Sequence, residues 1–491
     1  MKGISNWQFT PYRRPIDDAR PYICRIEPRR GAFVFDWLDG VGQRCDVYFR
    51  KADGEFERRP AAAHRVAVDG LENNSDYEFF LRRDDGTESA HRLVHVCDAP
   101  ENAAVIDYLH PLDDIYEYSG HALAAPTLVK LPSGKLIAGT SVCCDRTRWP
   151  SDPCLDVLFE STDGGNSWSY LCDIRPAFNS KLFWHRGKLY LLTLSTDYCD
   201  LIIGCSEDEG RTWSRPVTLL RGEGVRRYGW HRGSYPIVEK DGRLYTAIEY
   251  GHVEEITEPT PEELDNSRGA DADEPADFEF RTLFNACSPG KKLVCNLAHY
   301  SGVLSVPADA DLMQPESWTV SRLYYPEDDP RQCIEGNIVE LPDGRLYNLI
   351  RTMRAGKSLL LRLDENDPAE GMPQKARLVE DFPLSAVSKF VVHRDPVTGA
   401  YVAFGNLHDP KRPSLGRRVL AMAVSEDFER WRVAHIVADG SAVGNAFTYP
   451  EWLIDGEDVL LVSRTAWNGA VNQHDTNMIT FHRISNFRQY L

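Results

Sequence analysis

STDGGNSW at 161–168 and SEDEGRTW at 206–213 are two copies of one octapeptide, Ser-x-Asp-x-Gly-x-(Ser/Thr)-Trp, and their starts lie 45 residues apart. A period of that size signals blades or arrays rather than one irregular domain. A third, eroded copy, SEDFERW at 425–431, keeps Ser425, Asp427 and Trp431 and has Glu429 where glycine is expected. The motif describes a tight turn. The Asp carboxylate accepts backbone N–H groups, Gly supplies a positive φ, and Trp buries its ring beneath the loop. It is a folding device and does no chemistry of its own.

The octapeptide resembles the Asp box of the sialidase superfamily, and the resemblance implies a β-propeller. A second repeat supplies the count. Six hairpins, each an apolar stretch, a glycine turn and another apolar stretch, place turn glycines at Gly134, Gly187, Gly242, Gly344, Gly399 and Gly456. Their intervals are 53, 55, 102, 55 and 57 residues. The double-length gap holds an acidic, Pro-rich stretch from about 253 to 280, which reads as a loop inserted into one unit. Each unit then reads as four short strands. The sixth lacks its fourth strand, and AVIDYLHP at 104–111 is placed to supply it and close the ring. The expected fold is all-β: a six-bladed β-propeller over 106–491, with a seventh blade in the long gap as the alternative.

Residues 1–105 read separately. Runs such as YICRIEP, GAFVFDWL, CDVYFRK and YEFFLRR alternate with turns at the spacing of a small β-sandwich. Leu71 and Tyr77 stand at the spacing of a tyrosine corner, and the segment resembles a fibronectin type III domain.

Composition bounds the partners. With 56 Lys and Arg against 74 Asp and Glu, the net charge of −18 argues against nucleic acid or an anionic membrane as the main partner. No apolar run reaches the roughly 18 residues of a membrane span, and the start MKGISNWQFTPYRRP has no hydrophobic signal segment, so the chain reads as cytoplasmic. The twelve cysteines form no Cys-x-x-Cys pair, and with neither metal motif nor nucleotide fingerprint no metal or cofactor is expected. Oligomeric state is not readable from the sequence.

Blade geometry yields a candidate site. First-strand starts and second-strand ends converge on the axis at one mouth. The starts contribute His121, Trp230, His231, Glu335, Lys389 and Tyr449; the ends contribute Asp145, Arg146, Glu249, Arg351, Asn406, His408 and Arg464. So many ionisable groups exceed what folding requires, because burying them costs free energy unless they pair. Each alone also has a structural reading: Tyr449 as a core aromatic, Glu335 with Arg351 as an ion pair, His231 as a core histidine, His474-Asp475 as a turn.

The family resemblance assigns roles. IEGNIVELPDGRLYNLIRT is similar to the sialidase segment that makes Glu335 the carboxylate assisting the nucleophile and Arg351 one arginine of a substrate-carboxylate triad. AFTYPEWLIDGEDVLLVSRT looks like the segment bearing the nucleophilic tyrosine, here Tyr449. Arg417 or Arg418 falls where another triad arginine is expected, and Asp145 or Asp152 where the acid/base stands. The chain departs at blade one, where Ala124 and Ala125 precede Pro126 in place of Arg-Ile-Pro. Losing that arginine weakens recognition of a 2-keto acid sugar. GWHRGSYPIVEKDGRLYTAIE, WLIDGEDVLLVSRTAWN and NQHDTNMITFHRISNFR resemble a bacterial group of sialidase-like proteins, adding His231, His474, Asp475 and Asn477. The expected function is an exo-acting glycoside hydrolase on an acidic or deoxy sugar of a glycan or oligosaccharide, with Tyr449 and Glu335 within hydrogen-bond reach. The alternatives are a propeller-type lyase on a uronate glycan, with His231 or Tyr449 moving the proton, and a non-catalytic glycan-binding protein.

Overall fold

The computed structural model describes residues 10–11, 20–51, 54–113, 122–143, 155–195, 198–222, 228–256, 294–324, 334–352, 357–363, 376–379, 381–384, 388–409, 411–412, 415–441, 444–470 and 472–491. Antiparallel sheets dominate them. No helix among them is long and apolar enough to cross a membrane.

Two sheets form the N-terminal part. One joins Tyr22–Arg29, Ala32–Leu38 and Arg65–Asp69; the other joins Glu57–Ala61, Cys45–Lys51, Ser75–Arg83 and Arg92–Val96. Alternate residues of both, such as Ile26, Phe33 and Phe35 against Val47, Phe79 and Leu81, share one core, as in a two-layer sandwich. The Tyr77 hydroxyl accepts the Glu72 N–H at 2.9 Å, which ties strand to preceding loop at the expected corner.

Six further sheets succeed one another along the described chain. Sheet I holds Ala122–Lys130, Leu136–Cys143, Leu155–Ser161 and Ser169–Arg175, with Thr10–Pro11 added at its outer edge. Sheet II holds Phe178–His185, Lys188–Leu194, Leu201–Ser206 and Val217–Leu220. In sheet III the first strand is split into Tyr228–His231 and Val238–Lys240; both pieces pair with Arg243–Ile256, followed by Val294–Pro307 and Thr319–Val320. Sheet IV holds Ile334–Glu340, Leu346–Arg351, Ser358–Arg362 and Ala376–Val379, and sheet V Val391–Arg394, Tyr401–Asn406, Val419–Ser425 and Arg432–Asp439. Sheet VI takes Ala446–Asp455, Asp458–Ala466 and Met478–Ile484 from the C-terminus. Its fourth strand is Ala103–Tyr108, which the sequence placed there.

Apolar residues then close these sheets into a ring. Six buried clusters each join neighbours: I with II, II with III, III with IV, IV with V, V with VI, and VI with I. A ring of antiparallel sheets packed face to face, the last completed by a strand from before the first, is a β-propeller. The six hairpin glycines all adopt positive φ. The loop expected from about 253 begins later. The ladder runs on to Ile256 paired with Val294, because those residues continue one long hairpin. The interior of that gap, where a seventh blade was the alternative, lies outside the described residues.

The octapeptides are turns of one design. Asp163 accepts the Ser161 hydroxyl at 2.8 Å, the Ser167 N–H at 2.9 Å and the Ser167 hydroxyl at 2.6 Å. Asp208 does the same with Ser206 and Thr212. Burial works against both carboxylates, yet these bonds hold each below its usual pKa. Trp168 and Trp213 donate to Gly165 and Gly210 carbonyls. Each ring wedges against the preceding sheet: Trp168 lies in the core shared with sheet VI, Trp213 in the core shared with sheet I. In the third copy Trp431 donates to the Phe428 carbonyl, and Phe428, not Glu429, takes the glycine's place at φ 67° because this loop is one residue shorter.

Candidate functional site

The first strands of sheets I, II, IV and VI share one irregularity. In each, two residues oppose one on the second strand: Ala124 and Ala125, Asn179 and Ser180, Glu335 and Gly336, Tyr449 and Pro450. Such bulges bend a strand and re-aim its side chains. Glu335 (φ 59°), Tyr449 (φ 51°) and Asn179 (φ 53°) are left-handed non-glycine residues, a conformation that persists only where the surroundings enforce it. The neighbouring sheet does so in each case. Asn179 N–H donates to Ser141, Gly336 N–H to the Glu249 carboxylate at 3.2 Å, and Tyr449 N–H to Ser388. Ala124 and Ala125 therefore occupy the sheet I counterpart of the Glu335 and Tyr449 positions.

Around Tyr449 the structure gathers several predicted residues. The Arg417 and Arg464 guanidinium carbons lie 5.4 and 5.0 Å from its ring centroid, within cation–π range. His474 meets the ring edge-on at 6.0 Å, and its Nδ1 lies 3.4 Å from Arg464 and 3.0 Å from Asp475. All of these except His474 are less than a tenth exposed. Of the two adjacent arginines, Arg417 lies over the tyrosine; Arg418 turns its backbone to Leu415 and Gly440. Glu335 and Arg351 form a buried ion pair at 2.7 Å. Burial disfavours the Arg351 cation, but Glu335, and after it Tyr449, hold its pKa above the ordinary value while Arg417 opposes them. The ion pair and the tyrosine thus share one electrostatic neighbourhood. The hydrogen bond expected between Tyr449 and Glu335 is not among the described contacts; the Glu335 carboxylate pairs with Arg351 instead.

Sheet III lies beside this pair, with Glu249 accepting the Gly336 N–H and the Arg351 charge acting on His299. His231 Nδ1 lies 3.3 Å from Glu249 Oε2, which also accepts the Tyr235 hydroxyl at 2.6 Å. The His231 ring stacks on Tyr198 at 5.1 Å, and the Tyr198 hydroxyl lies 2.9 Å from His299 Nε2. Burial, then the nearby His231 and Arg351 charges, hold the His299 pKa well below its usual value. Tyr198 reaches this place because Gly229 and Gly251, paired across two strands, leave room: a Cβ on Gly251 would meet its ring at 2.1 Å and one on Gly229 its carbonyl oxygen at 2.2 Å.

Three predicted residues are occupied elsewhere. Lys389 donates to the Ser234 carbonyl at 2.8 Å and faces Glu451, which also pairs with Lys181; together they link the first strands of sheets II and VI with the entry to sheet V. Burial pushes the Lys389 ammonium down to about 8, with Glu451 opposing. Trp230 packs edge-on to Tyr250 and donates to the Arg221 carbonyl, and Asn477 brackets both backbone groups of Trp467. Asp145 and Asp152 lie outside the described residues. Sequence reasoning missed Tyr198, His299 and Tyr235. Its available signal was Gly229 and Gly251, since glycine within a strand marks a close approach. No metal-holding group of three or more His, Cys, Asp or Glu occurs among the described residues.

No known family profile and no curated protein matches the chain. Solved structures do. A Hadza microbial sialidase is 14% identical, with 96% of this chain and 100% of that one covered at a TM-score of 0.49. The NanB sialidase of Streptococcus pneumoniae is 10% identical over 97% and 94% of the two chains, at 0.48. An α-L-arabinofuranosidase of Fusarium graminearum is 10% identical over 80% and 99%, at 0.46. These are what the chain is similar to, and no residue takes a role from them.

Proposed function

We propose that the protein is an exo-acting glycoside hydrolase that removes an acidic or deoxy sugar from a glycan. Tyr449 is its nucleophile, Glu335 the carboxylate that assists it, and Arg351, Arg417 and Arg464 the cationic wall for the sugar's carboxylate. The observation that carries the reading is the pair of guanidinium groups on the Tyr449 ring, beside a Glu335–Arg351 pair held at the matching bulge of another sheet. Guanidinium groups bind carboxylates with both charge and geometry. Arg464 comes from the second strand of sheet VI and compensates for the arginine replaced at Ala124. A substrate carboxylate arriving at Arg351 competes for the guanidinium that holds Glu335 and releases Glu335 toward the Tyr449 phenol, coupling binding to activation. Glu335 takes the phenol proton, Tyr449 Oη bonds to the anomeric carbon as the bond to the aglycone oxygen breaks and that oxygen takes a proton from an acid/base group of the mouth, and water, returning a proton to that group, hydrolyses the glycosyl tyrosine.

A panel of aryl glycosides of acidic, deoxy and neutral sugars tests this. Turnover on an acidic or deoxy member that Tyr449→Phe reduces by about a hundredfold or more is expected. Arg464→Lys raises KM on the acidic sugar. Unchanged turnover in Tyr449→Phe removes the nucleophile. One observation favours a lyase as the second reading: the His231–Glu249 pair stands in the neighbourhood of Arg351, as base and carboxylate neutraliser would. Release of ultraviolet-absorbing 4,5-unsaturated uronide from a uronate glycan would establish that reading instead.

A further inference from the structure

Glu249 is held at three points. Its Oε1 accepts the Gly336 N–H at 3.2 Å, and its Oε2 accepts the Tyr235 hydroxyl at 2.6 Å and faces His231 Nδ1 at 3.3 Å. The carboxylate is fully buried, and its partners come from sheet IV, from the loop that splits the first strand of sheet III, and from that strand's end. An ionised carboxylate only accepts hydrogen bonds, so the imidazole nitrogen facing it carries the proton. With Glu249 ionised, His231 is the Nδ1–H tautomer, and its proton exchange falls to Nε2. The same carboxylate anchors the left-handed bulge that presents Glu335, through the residue next to it.

We propose that His231 and Glu249 form one proton-transfer unit of the mouth, in which His231 Nε2 exchanges the proton with the substrate and Glu249 is the positioning residue that sets both the imidazole tautomer and the placement of Glu335. The step is a proton shuttle. The His231 imidazolium gives its Nε2 proton to the departing oxygen, becomes neutral imidazole, and recovers a proton from the incoming water as that oxygen attacks. The Nδ1–H to Glu249 bond persists throughout, so Glu249 never takes the proton. Among the described residues, the titratable and charged groups facing His231 are Glu249 on the second strand of sheet III, His299 on the third and Tyr198 from the loop of sheet II, with Tyr235 beyond the carboxylate and the Arg351 charge acting on His299. The inference rests on the mouth being catalytic, not on the choice of sugar or nucleophile.

The test is imidazole ¹⁵N spectroscopy of the full chain labelled at histidine, with the His231 signals identified by their loss in His231→Gln. Wild-type His231 is expected as Nδ1–H, titrating at Nε2. Glu249→Gln should lower that titration by about one pH unit or more, because a neighbouring carboxylate favours the imidazolium, and should yield the mixed tautomer; Glu249→Asp should restore part of the shift. Tyr449→Phe should leave it unmoved. On any substrate turned over, the pH limb assigned to His231 should move with the spectroscopic value in Glu249→Gln. An Nε2–H tautomer in wild type, a titration in Glu249→Gln that coincides with wild type, or undiminished turnover in His231→Gln overturns the proposal. Tyr235→Phe, which removes one donor from Glu249 without touching His231, keeps the experiment decisive should Glu249→Gln misfold: it should raise the His231 titration, and no change counts against the unit. A Tyr449-dependent hydrolase with an unmoved His231 would sink this inference alone, whereas the predicted His231 shifts without hydrolysis of any glycoside would sink the proposed function alone.

Discussion

Replacing Trp168 by alanine removes the wedge between sheets I and VI. Trp168 is 1% exposed, packs against Phe481 at 5.6 Å and lies among Ile106, Leu460, Val462 and Ile479. A buried tryptophan covers about 150–250 Å², which at about 25 cal/mol/Å² is worth roughly 4–6 kcal/mol. Real unfolded chains already bury part of that area, which reduces the figure to about 3–5 kcal/mol, the range of aromatic-to-alanine changes in cores. Trp431 is only partly buried and should cost about half as much when truncated, with Trp213 between them. Urea unfolding followed by circular dichroism, with the slope unchanged between variants, gives the three differences. If Trp431→Ala costs as much as Trp168→Ala, or Trp168→Ala less than about 1 kcal/mol, burial between sheets is not what these motifs contribute.

Two other outcomes follow from buried groups. Burial pushes the Asp107 carboxyl up to about 7, with Arg25 opposing, so between the ordinary carboxylate value of 3.8 and about 7 the folded chain keeps a proton that the unfolded chain releases. Stability from this group therefore falls as pH rises through that window, at about 1.4 kcal/mol per pH unit; Asp107→Asn should flatten the pH dependence of the urea midpoint there, and an equally steep dependence would refute the assignment. Gly251→Ala should cost about 1–3 kcal/mol by displacing the Tyr198 ring, and combining it with Tyr198→Ala should cost less than the sum; strict additivity in that double-mutant cycle would mean that the two do not touch.

The fold was legible because its signals are local. Turn glycines, box tryptophans and alternating apolar residues each report their own few positions, and a ring of similar units repeats the report six times. The meetings of Tyr449 with Arg464 and of Glu335 with Arg351 were legible for the same reason, since each joins the start of a first strand to the end of the second. The bulges were not, because one extra residue per strand leaves the hairpin spacing unchanged. Nor was the three-point hold of Glu249, which depends on Gly336 lying across a sheet boundary. Tyr198 and His299 come from a loop and a long hairpin whose meeting depends on two glycines and not on any repeat.

The strand Ala103–Tyr108 links the order of synthesis to the order of assembly. It is made before every other strand of sheets II to VI, yet its partner Met478–Ile484 follows all of those other strands. Until that partner is made, the ladder between the two cannot form and the strand is an edge of the kind on which chains aggregate. In the folded protein the strand also touches the sandwich: Arg25 donates to the Ile106 and Val105 carbonyls, and the Asp107 carboxyl accepts the Ile26 N–H. The N-terminal sandwich thus grips the same strand that closes the ring.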